Sequence, residues 1–244
     1  DLSLVKGSPS VRRKFLDMEM GQMSPIYLHH LVQYQHLLKQ RNSYLKQLSL
    51  KKEKDLTFLD ILTEQLAEYG AAILLERFSF VKKLENWAKP VHSEISKQKE
   101  LLEIGYACSL KITDETSKEQ LYSDLMNAFA QGRQRELEQR TTIFGPHRDD
   151  LKFTVNGRNV QTYGSQGQQR LAILSFKLAE ITLFKETNGS YPIILLDDIF
   201  SELDIDRQKY LLTYIKKTGK VFITTTDIDK LAQDLIDESN IIEI

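Results

Sequence analysis

Gly164-Ser165-Gln166-Gly167-Gln168-Gln169-Arg170 and Pro192-Ile193-Ile194-Leu195-Leu196-Asp197-Asp198-Ile199-Phe200-Ser201-Glu202-Leu203-Asp204 are the two stretches on which the fold turns. The first opens a helix, and a helix N-terminus presents free N–H groups and the positive end of its dipole, a good place for an anion. Gly167 lets a ligand come close to the backbone, and Ser165 and Gln168 offer side-chain donors. The second is a short all-apolar strand, Ile193 to Leu196, of the kind found in sheets covered on both faces. It ends in two carboxylates at the edge where open α/β folds bind ligands. Asp197 is placed to hold a Mg²⁺ that bridges phosphates, and Asp198 to accept a proton from an attacking water. Ser201 to Asp204 also suits a helix N-cap.

The partner such a site needs is absent. Nowhere do the 244 residues carry a phosphate-cradling loop of the form G-x-x-x-x-G-K-[ST]. Gly-Lys occurs only at Gly219-Lys220, with Val221 after it and no glycine at the required spacing before it. The chain reads as half of an ATPase, and Asp1 at its start suits a fragment or processed piece. An apolar fraction of 41% and a charged fraction of 27% are ordinary for a globular protein with a real core, in one large domain or two modest ones. A net charge of -1 announces no global affinity for nucleic acid, so a DNA site must be a local patch. The single Cys108 excludes an internal disulfide and a multi-cysteine zinc site. It suits a reducing cytoplasm, the expected location. No apolar run approaches the roughly 18 residues of a membrane span, and no signal peptide is visible.

Periodicity sets out the rest. Leu2 to Gln22 is mixed. Ser24-Pro25 starts a helix that runs from Ile26 to Leu50, with Leu28, Leu31, Val32, Leu38, Leu45 and Leu48 on helical spacing. After Lys51-Lys52-Glu53-Lys54-Asp55 a second helix runs from about Phe58 to Ile95, with Pro90 as a kink or stop. The two pair as an antiparallel hairpin. Ile104, Tyr106, Cys108, Leu110 and Ile112 alternate as in a half-buried strand, and Ser117 to Arg140 returns to helix. Leu151, Phe153 and Val155 alternate again, and Asn156-Gly157 turns the chain into a strand from Arg158 to Thr162. A helix from Gln166 to about Glu186, closed by Asn188-Gly189, precedes the strand at Ile193. Val221 to Thr224 is a further strand and Ile228 to Ile236 a last helix. The C-terminal half is therefore α/β with a largely parallel sheet.

The two opening stretches together resemble the signature loop, Walker B strand and D-loop of ABC-type ATPase heads. The resemblance implies that Ser165, Gln166, Gly167 and Gln168 bind the γ-phosphate of an ATP held by the opposite protomer. It places Mg²⁺ at Asp197, the catalytic base at Asp198 and Asp204 across a dimer interface. Asp198 stands where Glu is usual; it is one methylene shorter, so slow hydrolysis is expected. Val221 to Asp227 resembles the switch strand, with Thr226 in place of the histidine of transporter-type heads. A hydroxyl there can touch a phosphate but does not titrate near neutral pH.

Gly145-Pro146-His147-Arg148-Asp149-Asp150-Leu151, the Ser165 loop, Leu195 to Asp198 and Ser201 to Asp204, in that order, resemble the RecF family of bacterial DNA replication and repair proteins. Lys6-Gly7-Ser8-Pro9-Ser10-Val11-Arg12-Arg13, leading into Phe15-Leu16-Asp17, strengthens the likeness, which covers essentially the whole chain. It implies an α/β fold: an ABC-type, SMC-like ATPase head, a partly parallel sheet flanked by helices, with an inserted helical arm. Residues 1–22 would end an N-terminal ATPase lobe, 23–140 form the arm with a short strand near 103–112, and 141–244 complete the head. ATP with Mg²⁺ and an ATP-dependent homodimer are further implied. So is weak DNA-stimulated ATPase activity in the full-length protein, with none from these residues alone. The family binds gapped DNA at single-strand/double-strand junctions, and works with RecR and RecO to load RecA in the SOS response.

His147 and Arg148 either contact a phosphate or anchor the arm through ion pairs with Asp149 or Asp150. Lys39, Arg41, Lys46, Lys51, Lys52 and Lys54 form a basic stretch that either meets DNA or is a solvated face. A long-armed SMC organiser is disfavoured, since helices of roughly 35 residues span only about 50 Å and there is no Cys-x-x-Cys hook. A transport ATPase is disfavoured by Thr226. The alternative from a different class is an SMC-type structural or interaction module without ATPase activity, working through its helical arm.

Overall fold

The computed structural model describes residues 2–51, 55–200, 203–225, 233–237 and 239–242. Two helices, α1 (Ser3–Lys6) and α2 (Pro9–Met23), occupy the stretch whose sequence shows no clear period. Helix α2 escapes notice because only Arg12, Leu16 and Met20 are buried on it, and one of these is charged. Helix α3 (Pro25–Ser49) begins where the serine cap places it, Tyr27 N–H donating to Ser24 Oγ at 3.1 Å. The 40-residue α4 (Leu56–Ile95) is capped by Asp55 and continues as helix past Pro90, so the proline is not a stop. Proline there forfeits one backbone hydrogen bond, and burial of Ala88, Val91, His92 and Ile95 around it holds the helix together. Helix α5 (Lys118–Gln139) runs from the Ser117 cap to Arg140, which turns the chain at φ 57. Leu31, Tyr34, Leu45, Leu62, Leu66, Leu121, Leu125 and Phe129 bury the core of α3, α4 and α5.

Strands β1 (Leu102–Ala107), β2 (Asp150–Val155) and β3 (Arg158–Asn159) form an antiparallel sheet. Strand β1 stops short of Ile112, because Cys108, Leu110 and Ile112 turn into the helical core instead. Strand β3 is two residues long, since Asn159 caps a short helix, α6 (Val160–Tyr163), accepting from the N–H groups of Gln161 and Thr162. Helix α7 (Gln166–Asn188) closes at Gly189 with φ 78, a left-handed turn that favours glycine. Strand β4 (Ile194–Asp197), helix α8 (Ile205–Ile215) and strand β5 (Val221–Thr224) make a parallel unit. Helix α9 (Gln233–Asp237) follows, the start of the expected last helix lying outside the described residues.

Parallel pairing is thus confined, among the described residues, to β4 and β5. Local connectivity decides this: the Asn156-Gly157 turn forces antiparallel neighbours, whereas a helical crossover brings β5 back parallel. The expectation that β4 is covered on both faces is not met. Ile194, Leu196, Val221 and Ile223 face the core made with α7, α8 and the end of α4. Ile193, Leu195 and Phe222 lie on the other side at 66%, 75% and 58% exposure, an open apolar face on which Leu195 and Phe222 are register partners.

Candidate functional site

At the start of α7 the sequence folds into a reciprocal capping box. Ser165 Oγ accepts from Gln168 N–H at 3.2 Å, and Gln168 Oε1 accepts from Ser165 N–H at 3.0 Å. Two of the helix's orphan donors remain, the amides of Gln166 and Gly167, on residues that are exposed. A Cβ at Gly167 would meet only Ser165 Oγ, 3.9 Å away, so the glycine leaves open space outside the helix rather than relieving an internal clash. Gln168 Nε2 donates to Glu100 Oε1 at 2.9 Å, a partner that no motif announced.

The carboxyl end of β4 is held by its parallel neighbour. Thr224 Oγ1 donates to Asp197 Oδ1 at 2.5 Å, and Asp198 N–H donates to Thr224 O at 3.1 Å. Asp197 is exposed, and this bond leaves its second oxygen for a cation. Asp198 takes φ 48, the left-handed region, at a cost of about 1 kcal/mol for a residue with a Cβ. Asp198 is half-buried. Asp204 caps α8, accepting from Arg207 N–H at 3.0 Å and lying 3.4 Å from Arg207 Nε. Ser201 and Thr226 lie outside the described residues.

Asp197, Asp198 and Arg170 share a cavity of about 600 Å³ between α7, β4 and α2. The Ser165 loop and Asp204 are not on its walls. Glu19, Lys177 and Glu180, which sequence reading passed over, also line it. Lys177 Nζ lies 2.9 Å from Glu180 Oε2, 3.9 Å from Glu19 Oε1 and 4.1 Å from the centre of the Phe15 ring. Burial pushes the Glu180 carboxyl up to about 8, with Lys177 opposing the rise and Glu19 adding to it. Lys-x-x-Glu at helical spacing on α7 was the visible signal; which way that pair faces was not. Among the described residues no group of three His, Cys, Asp or Glu side chains is arranged to hold a metal ion.

The Gly145 to Leu151 segment is a largely buried knot with only Arg148 exposed. His147 Nε2 lies 3.1 Å from Thr142 O, which can only accept, so Nε2 carries the proton and Nδ1 accepts from Tyr34 OH at 2.6 Å. Burial pushes the imidazole down to about 4, so at neutral pH it is uncharged with both nitrogens engaged. Arg148 donates to the same Thr142 O at 2.9 Å. Asp149 Oδ2 accepts from Tyr106 OH at 2.5 Å, and Arg13 reaches Asp149 O at 2.7 Å. Arg77 joins Pro146 O at 2.8 Å to Asp17 at 2.5 Å. The segment does anchor the helices, but the ion pair that does so is Arg12 with Asp150; His147 and Arg148 form none with either aspartate among the described residues.

The basic stretch is broken up. Arg41 is 2% exposed and bound to Glu136, Thr63 and Thr142, inside the α3–α4–α5 core rather than on a DNA-facing surface. Lys39, Lys46 and Lys51 are exposed, and Lys52 and Lys54 lie outside the described residues. No described helix is long and apolar enough to cross a membrane.

No protein-family model matches the chain. It is 56% identical over 242 residues to the DNA replication and repair protein RecF of Enterococcus faecalis, covering 99% of this chain and 64% of that protein. It is 51% identical over 244 residues to RecF of Limosilactobacillus reuteri, covering 100% and 65%. A solved structure of the recombination mediator protein RecF with ATP superposes with a TM-score of 0.85 at 36% identity, over 93% of this chain and 60% of that one. The chain thus spans about two thirds of its relatives' length. Over that span the fold is that of the solved RecF structure, mixed helix and sheet, mostly helical with a small sheet.

Proposed function

The chain belongs to the RecF family, and on that premise we propose that it serves DNA replication and recombinational repair as the signature-bearing part of an ATP-dependent DNA-binding protein. The observation that carries the reading is the end of β4. Two carboxylates stand at the carboxyl edge of a parallel pair, one tethered by Thr224 and the other on a residue with a positive φ. Asp197 offers a hard oxygen suited to Mg²⁺, which when bound neutralises charge on the phosphates. Asp198 accepts the proton of the attacking water.

The outward amides of Gln166 and Gly167, with Ser165 and Gln168, receive the γ-phosphate of an ATP held by a second protomer. Asp204 and Thr226 flank it. A composite site accounts for the separation of the Ser165 loop from the cavity that holds Asp197 and Asp198. The phosphate loop comes from polypeptide that covers Ile193, Leu195 and Phe222, burying apolar surface now open to water. The ATP-bound dimer engages gapped DNA at single-strand/double-strand junctions and, with RecO- and RecR-like partners, promotes RecA loading in the cytoplasm as part of the SOS response.

Sedimentation of the full-length protein with and without Mg-ATP tests this, alongside Ser165→Arg. Dimerisation that the Ser165 change abolishes is expected. A parent that stays monomeric with nucleotide would leave the open apolar face and the helical arm as the working surfaces of an interaction module.

A further inference from the structure

The 40-residue helix α4 ends against both nucleotide-facing motifs. After Ile95 the chain turns through Lys97 and Gln98, consecutive residues with side chains at φ 56 and 58. Two left-handed residues in a row cost about 1 kcal/mol or more each unless the surroundings hold them. Backbone bonds hold them, Lys97 N–H to Glu94 O at 3.0 Å and Gln98 N–H to Ser93 O at 2.7 Å, and side chains make contacts on either side. Lys97 Nζ reaches Asp206 Oδ2 at 2.6 Å, in the first turn of α8 beside Asp204. Glu100 Oε1 accepts from Gln168 Nε2 at 2.9 Å, in the capping box of α7.

Behind Glu100 stands His92, fully buried on the last turn of α4. Ser175 donates its only hydroxyl proton to Leu171 O at 2.8 Å, so at 3.0 Å its oxygen accepts from His92 Nδ1. His92 Nε2 then faces Glu100 Oε2 at 3.3 Å with no hydrogen bond between them; the contact becomes an ion pair only when the ring also carries a proton at Nε2, a form that burial disfavours and Glu100 favours. The path Gln168–Glu100–His92–Ser175 therefore leaves α7, crosses the end of α4 and returns to α7 about two turns on.

We propose that Glu100, with His92 behind it, is a positioning residue for Gln168, linking the phosphate-facing start of α7 to the end of α4. Glu100 sets the direction of the Gln168 amide, and His92 stands behind Glu100 at the end of α4. Engagement of Gln168 by a phosphate then changes the pull on the end of α4, and displacement of α4 changes the readiness of the capping box, since coupling between two sites is reciprocal. The inference rests on the composite-site reading only for the identity of the phosphate; the link itself does not.

The test uses the full-length protein. Parent, Glu100→Ala, Glu100→Gln and Gln168→Ala are compared for Mg-ATP-dependent dimerisation and for amide hydrogen exchange at 92–98. Loss of a hydrogen bond to a charged group predicts dimerisation about tenfold weaker in Glu100→Ala. Glu100→Gln, whose amide oxygen still accepts from Gln168, restores it. Exchange at 92–98 slows with Mg-ATP in the parent and not in Glu100→Ala. Parent-like dimerisation by Glu100→Ala overturns the proposal, as does exchange at 92–98 that ignores nucleotide while the parent dimerises. A parent that does not dimerise refutes the ATP reading, and Gln168→Ala without nucleotide then decides. Altered exchange at 92–98 upholds the link, and unchanged exchange overturns it.

Discussion

Arg12 and Asp150 lie 138 residues apart in sequence and meet through two parallel hydrogen bonds, Nε to Oδ1 at 2.6 Å and Nη2 to Oδ2 at 2.9 Å. The guanidinium also holds Gly7 O at 2.7 Å, so one buried side chain joins the start of α2, the turn before it and the first residue of β2. Arg12→Ala leaves a largely buried carboxylate without its partner and is expected to cost about 3 kcal/mol in urea unfolding. Arg12→Lys recovers little of this, because a point charge cannot reproduce the two-pronged contact.

Arg41 separates a structural cation from a DNA-binding one. Its pair with Glu136 is buried on both sides, at 2% and 0% exposure. Arg41→Ala should destabilise the helical core by about 3–5 kcal/mol. Charge reversal at the exposed Lys39, Lys46 and Lys51 should leave unfolding unchanged. If the arm meets DNA, those reversals lower affinity and flatten its salt dependence in an anisotropy titration.

Glu180 gives the protein a pH dependence of definite sign. Burial raises its carboxyl from the ordinary 4.5 to about 8, so its contribution to stability is full below 4.5 and is lost as pH rises through 8. Urea stability is expected to fall between pH 5 and pH 9 by up to about 4 kcal/mol from this group. In Glu180→Gln that fall should disappear.

His147 and Asp149 oppose one another. Burial holds His147 down to about 4, so its contribution to stability is lost as pH falls through about 6 toward 4. Burial raises Asp149 to about 6, so its contribution is lost as pH climbs over the same interval. Parent stability should be nearly flat there as far as these groups decide it. Asp149→Asn, which keeps an acceptor for Tyr106, should expose a rise with pH. His147→Gln should expose a fall. Urea midpoints taken across pH 4–7 check both.

Gly167→Ala distinguishes binding from folding. The added methyl meets only Ser165 Oγ at 3.9 Å, so folding stability should hold or rise by up to about 1 kcal/mol. If phosphate approaches the outward amides, the same methyl abolishes Mg-ATP-dependent association. A variant that is stable and still associates would place the phosphate elsewhere.

The sequence by itself determined what depends on local rules. The caps at Ser24, Ser117 and Ser165, the Asn156-Gly157 turn and the stop at Gly189 all act within four residues of chain, and each stands where the residue types put it. Asp197 and Asp198 at the end of an apolar strand were legible for the same reason. Tertiary structure decided what depends on partners far away in the chain. Helix α4 continues through Pro90 because burial outweighs one lost hydrogen bond, and the alternation at Cys108, Leu110 and Ile112 belongs to a loop because the helical core claims those side chains. Arg41 left the basic stretch for the interior because Glu136, Thr63 and Thr142 were waiting there. Glu100 and Lys97 acquired their places beside Gln168 and Asp206 only when α4 was laid across α7 and α8. A charge in a sequence carries no mark of its future partner, because burial and pairing are properties of the packed chain.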